Sequence, residues 1–137
     1  MAIAKWSTPS TRSANILSTV ANSLANGSET AVVTYDNSTN KDLYGVVTLK
    51  LGSITPSAGG SVTLRITLND GTDTSDRAGG DLYTAVLNSG ASAKVVVFPM
   101  VRLYPFSLRI SFVNNSGVTL AGSSNELYIR PYNEDVS

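Results

Sequence analysis

Four aspartates, Asp70, Asp73, Asp76 and Asp81, fall in the segment DGTDTSDRAGGD. Several carboxylates converging on one turn are what calcium takes. The spacing departs from that of an EF-hand loop, which alternates its ligands and closes with a glutamate, and Asp-Gly followed by Thr, Ser and paired Gly is ordinary turn chemistry. The segment therefore reads first as a surface loop. For catalysis the sequence offers less. It contains no His and no Cys, so the commonest general base, the commonest zinc ligand and the thiolate nucleophile are all missing. The remaining Asp, Glu, Lys, Ser and Tyr residues show no nucleophile and base at a fixed spacing. A two-carboxylate glycosidase would draw its acids from distant strands and leave no local motif, but a chain of 137 residues has little room for a deep cleft beside a core. The expectation is a protein that is not an enzyme and carries no cofactor or metal.

Residues suited to contact are easier to find. In NELYIRPYNEDVS, Tyr128, Arg130 and Tyr132 alternate with Leu127 and Ile129. Successive strand side chains point to opposite faces, so the two aliphatic residues enter a core while Tyr128, Arg130 and Tyr132 look outward. Tyr and Arg are enriched where proteins bury contact surface. Pro131 has a blander reading, as the residue that ends the strand and blunts its edge. Near the other end, Trp6 stands beside Ile3 in a polar stretch without strand or helix period, and Trp is a common interface anchor. Ile3, Trp6, Tyr128, Arg130 and Tyr132 are thus the candidate partner-binding residues. Tyr35, Tyr44, Tyr83, Tyr128 and Tyr132 could also serve as platforms for sugar rings, against the plainer reading of tyrosines half-buried on cross-strand neighbours.

The elements that must position these residues are strands. SVTLRITLN places Val62, Leu64, Ile66 and Leu68 on one face, LYGVVTLKL does the same for Val47, Leu49 and Leu51, and PFSLRISFV for Phe106, Leu108, Ile110 and Phe112. TAVVTYD, DLYTAVL and AKVVVF are shorter runs bounded by Asn, Asp, Gly or Pro. SANILSTVANSLANG fits two periods: Ile16, Val20 and Leu24 stand at helical spacing, yet they also share even positions with Ala14. Its Thr, Val, Asn and Ser content favours strand. The count is about eight strands, and turn-rich connections without helices predict an all-β antiparallel sandwich, jelly-roll-like, as a single domain over 13–137 behind an extended N-terminal arm over 1–12. Ten Lys and Arg balance ten Asp and Glu, which gives none of the positive charge a phosphate backbone demands, so no nucleic-acid partner is expected. The N-terminal stretch lacks the apolar core of a signal peptide, and no apolar run approaches the roughly 20 residues that cross a bilayer, so no membrane partner is expected and synthesis in the cytoplasm is.

NSLANGS, DNSTNKDLYG, SITPSAGGSV and the terminal ELYIRPYNE together resemble a family of small virion proteins of tailed bacteriophages, over nearly the whole chain from Trp6 to Glu134. Among such proteins, β-sandwiches of this size resemble capsid decoration or cement proteins. The resemblance implies a virion structural protein on the capsid surface, made in the host cytoplasm, with the major capsid protein as partner and self-association on the shell. It supplies no catalytic residues. A carbohydrate- or receptor-binding module of a tail fibre or spike is the alternative.

Overall fold

The computed structural model describes residues 3–76 and 80–136, and among them nine strands and no helix. These are β1 (Ala4–Trp6), β2 (Val33–Asp36), β3 (Tyr44–Ile54), β4 (Ser61–Leu68), β5 (Asp81–Val86), β6 (Ser92–Arg102), β7 (Ser107–Asn115), β8 (Glu126–Tyr132) and β9 (Glu134–Val136). Every pairing is antiparallel, in sheets of order β2-β7-β4-β5, β6-β3-β8 and β1-β9. The pairings follow one plan. β4 pairs with β5, β3 with β6, β2 with β7, and β1 with β9, which continues β8 beyond Asn133. The chain is thus a long antiparallel ribbon with its tip between β4 and β5, and rolling the ribbon brings β4 against β7 and β3 against β8.

The period-two patterns are what make this an all-β sandwich. Val62, Leu64 and Ile66 of β4 and Leu108, Ile110 and Phe112 of β7 face Val47, Leu49 and Leu51 of β3, Leu127 and Ile129 of β8, and Val96, Phe98 and Val101 of β6 in one buried cluster. Hydrophobic burial of these alternating positions fixes the register, because a slip of one residue would turn each set to water. The outer face of the four-stranded sheet is polar at its middle strands: Arg65 on β4 pairs with Glu29 at 3.1 Å, and Ser111 on β7 donates to the same carboxylate oxygen.

Three sequence expectations change. Residues 14–25 form neither strand nor helix, but successive turns in which the amides of Val20, Asn22 and Leu24 donate to the carbonyls three residues back. Ser18 and Ser23 take positive φ, at 53° and 56°, and that breaks any helix. The helical spacing had a cause nonetheless, since Leu17 and Ala21 are fully buried while Ile16, Val20 and Leu24 pack against the core, closing one side of the sandwich. The arm expected without a strand contains β1, and its residues 3–12 lie on the domain; residues 1 and 2 fall outside the described part. β1 and β9 were missed because three-residue strands are too short to show a period.

Candidate functional site

The last long strand is covered by the chain's own N-terminal segment. The amides of Ser7, Ser10, Ser13 and Ile16 donate to the carbonyls of Asn133, Pro131, Ile129 and Leu127 at 2.8, 2.8, 2.8 and 3.0 Å. Three residues of the segment therefore match each two of β8 and its extension, and the backbone arches outward between contacts. The opposing amides are satisfied by side chains: Asn133 donates to Ser7 Oγ, Ile129 to Ser13 Oγ and Leu127 to Asn15 Oδ1. Pro131 has no N–H and stands opposite Ser10, where none is needed. The signal in the sequence is the repeat S-T-P-S-T-R-S, serines at every third position, which neither strand nor helix periodicity detects.

Tyr128, Arg130 and Tyr132 do share the outer face of β8, but they are engaged. Arg12 lies 3.8 Å above the Tyr128 ring, in cation–π contact, and Arg130 donates to the Ser10 carbonyl at 3.1 Å. The Tyr128 hydroxyl donates to Glu126 at 2.7 Å, and holding that proton against the carboxylate raises its pKa. Tyr132 departs from the outward-looking expectation, because it is only 9% exposed. It stacks on Tyr44 with ring centres 5.5 Å apart, and Trp6 stands edge-on to both rings, at 5.4 Å from Tyr132 and 5.9 Å from Tyr44. The Tyr132 hydroxyl donates to the Pro99 carbonyl, and burial raises its pKa. Trp6 is nevertheless 55% exposed, and Ile3 is exposed too. A shallow depression of about 260 Å³, lined by Ala4, Lys5, Trp6 and Glu134, opens beside the indole.

The strand register extends this aromatic corner into a larger face. On the outer side of the three-stranded sheet, Tyr44 of β3 stands between Tyr132 and Arg102, Thr48 between Tyr128 and Val97, and Lys50 between Glu126 and Val95. Arg12 covers the β8 side, whereas the β6 side is open: Val95 and Val97 are 62% and 52% exposed, and Met100 is half-exposed. Leu82 and Val86 on neighbouring β5 are also exposed, and Val86 and Val95 line one small depression. These five residues were missed in the sequence although a signal was present. VVVFPMV continues apolar on both faces of a strand that has only one face in the core.

β6 is an edge strand, and its free edge is guarded. Lys94 points inward and is buried, its ammonium donating to the Gly90 carbonyl at 2.8 Å and to Ser92 Oγ at 2.9 Å. Further along, Pro99 and Met100 oppose the single residue Val46, a bulge that breaks the ladder. Inward charge, proline and bulge each discourage another strand from adding here. Contact on this side must therefore be made through side chains and not through backbone pairing.

The four loop aspartates do not gather. Asp70 accepts the amides of Asp73 and Thr72, which hold its carboxyl below the usual carboxylate value, while Asp81 lies on β5 and accepts the Tyr104 hydroxyl at 2.8 Å. Among the described residues no three acidic side chains converge on a common point. The candidate sugar platforms are likewise dispersed, except for Tyr44 and Tyr132: Tyr35 packs against the core from β2, and Tyr83 reaches across from β5 to the Phe98 ring and the Arg102 amide.

No protein-family model and no curated protein matches the sequence. Among solved structures the chain is similar to the mitogen derived from Yersinia pseudotuberculosis, at 13% identity and a TM-score of 0.28, covering 97% of this chain and 85% of that one. At that score the likeness carries no argument about this chain.

Proposed function

We propose that the protein is a non-enzymatic structural component of a tailed-bacteriophage virion, a cement protein that lies on the outer surface of the assembled capsid and bridges neighbouring subunits. The observation that carries this reading is the group of exposed apolar side chains on the outer side of the three-stranded sheet and its β1 corner, Ile3 and Trp6 beside Tyr44 and Val95, Val97 and Met100 on β6, set among Thr48, Lys50 and Arg102. Exposed apolar residues clustered on one face of a small domain mark a contact surface. The middle of the opposite outer face is polar and internally paired around Arg65, Glu29 and Ser111, with exposed apolar residues confined to Leu82 and Val86 on its β5 edge, beside β6. The rolled ribbon, in which β4 pairs β5, β3 pairs β6 and β2 pairs β7, supports a jelly-roll reading of the sandwich, an architecture frequent in capsid proteins. Binding to the assembled shell and not to free subunits would stabilise assembly by mass action, and many weak contacts would add through multivalency. The balance of charge lets copies crowd on one surface without mutual repulsion.

The test is co-sedimentation with empty shells of the phage that carries the chain. Wild-type protein sediments with the shells, and the double variant Val95→Lys, Val97→Lys keeps its melting temperature but binds at least about tenfold more weakly, or about 1.4 kcal/mol. Failure of the wild type to sediment at any shell concentration overturns the reading. The depression beside Trp6, flanked by Lys5 and Glu134, favours a carbohydrate-binding module as the second reading. Trp6 is the only tryptophan, so its fluorescence reports directly on sugars binding there.

A further inference from the structure

We propose that the edge formed by β8 and β9 is a strand acceptor whose occupant can be the Ala4–Ile16 segment of a second copy of this chain. The fit between edge and segment is specific. Carbonyls at alternate positions of β8 and its extension meet amides at every third position of the segment, the side-chain oxygens of Ser7, Ser13 and Asn15 accept the amides of Asn133, Ile129 and Leu127, and Ser10 falls opposite the proline that has none. An ordinary strand in register would meet these amides with its own carbonyls but would aim one carbonyl at Pro131, which has no N–H to give, whereas this segment places only the Ser10 amide there. The acceptor is therefore shaped for this segment, whichever copy supplies it.

The segment is also attached lightly. None of residues 3–16 is buried, whereas Leu17, the next residue, is fully buried and anchors the chain to the core. Release therefore pivots at Ile16–Leu17 and gives up only the partial packing of Ile16 against the hydrophobic cluster, whose buried members stay in place. The bonds and ring contacts broken in one copy are the same ones formed in the other, which is what makes exchange of an identical element an inexpensive route to association. The closed monomer has the advantage of effective concentration, of millimolar order for a short tether, so isolated copies stay closed and exchange appears where copies are packed at comparable density. This inference is independent of the capsid reading, since it concerns copies of one chain and no other partner.

The chain has no cysteine, so introduced thiols report without background. Lys5 and Asp135 stand directly opposite in the β1–β9 pairing and both are exposed. A Lys5→Cys variant and a mass-tagged Asp135→Cys variant are mixed at millimolar concentration, incubated and oxidised, with circular dichroism confirming that each is folded. Exchange predicts that crosslinks between the two different variants exceed those between like copies by about tenfold. A ratio equal to that of random collision, or no crosslink, overturns the proposal. In a second arm, the Lys5→Cys, Asp135→Cys double variant is oxidised while dilute, which ties each segment to its own edge. That closed form stays monomeric when concentrated to where wild-type dimers appear; dimerisation to the wild-type extent would place the contact elsewhere and overturn the proposal equally.

Discussion

Asn114 is completely buried and uses every valence of its side-chain amide. Its nitrogen donates to the carbonyls of Leu24 and Val118 at 2.9 and 2.8 Å, and its oxygen accepts the amide and hydroxyl of Ser116 at 3.0 and 2.6 Å. It ties the turns of residues 18–27 to β7 and to the loop after it. Asn114→Ala removes all four of these bonds at a buried position, although the Leu24 carbonyl keeps the Leu120 amide, and a urea titration should show a loss of about 3 kcal/mol. A loss below about 1 kcal/mol would mean that water replaces the amide. A second residue-scale expectation concerns alkaline pH. Tyr35 and Tyr132 have pKa values raised first by burial, and Tyr104 first by its hydrogen bond to Asp81. The folded state holds these protons more tightly than the unfolded state. Their contribution is thus complete below about pH 10 and is lost as pH rises through the higher folded values. Phenolate absorbance should rise later in the native protein than in urea, and the urea midpoint should fall above pH 10; coincident titrations would contradict the burial. Little of this was legible beforehand. An Asn in NNSG reads as a turn residue, and nothing local says that its amide meets a carbonyl from a segment 90 positions earlier.

At the scale of elements, the long strands were legible because alternation is a local property: β3, β4, β7 and β8 bury the faces their sequences announce. The N-terminal cover was not, because its order comes from serine hydroxyls and amides meeting a partner strand far along the chain, with no apolar period to betray it. A chain lacking residues 1–12 should therefore melt lower, since it loses the Trp6 contacts, the Ser7 and Ser10 bonds and the Arg12–Tyr128 contact. About 2 kcal/mol is at stake, or about 8 °C for a domain of this size. An unchanged melting curve would mean that the segment detaches freely in solution. Lys94 makes the complementary case on β6. Lys94→Val creates the run Val-Val-Val-Val-Phe on an edge strand while removing its inward charge. Light scattering at elevated temperature should show faster aggregation than wild type with no loss of far-ultraviolet β signal. Equal aggregation rates would assign the protection to the Pro99 bulge alone.

For the whole molecule, the ribbon sets the order of events and the distribution of rigidity. Its ends, β1 and β9, are joined only after nearly the full chain has been drawn together, and such non-local pairing is slow, on the millisecond to second scale. The central strands β3, β4 and β7, each paired on both sides, should hold the slowest-exchanging amides, and the exposed residues 70–76 the fastest. Class and core were open to sequence reasoning because turn residues and alternation recur along the chain. The order of strands was not, because any of several windings buries the same alternating faces, and only the pairings distinguish them.

The β1–β9 pair sets Ala4 opposite Val136, so the path of the backbone is nearly a circle. Where a circle is cut matters little to contacts that are all made across it. A permuted chain, linked by a short flexible peptide between these two positions and reopened between Asp70 and Asp76 at the tip of the ribbon, should fold with the same β-sheet spectrum and melt within about 5 °C of the parent. It should also behave differently in company: with both of its ends held inside the loop, such a molecule has no free segment to lend.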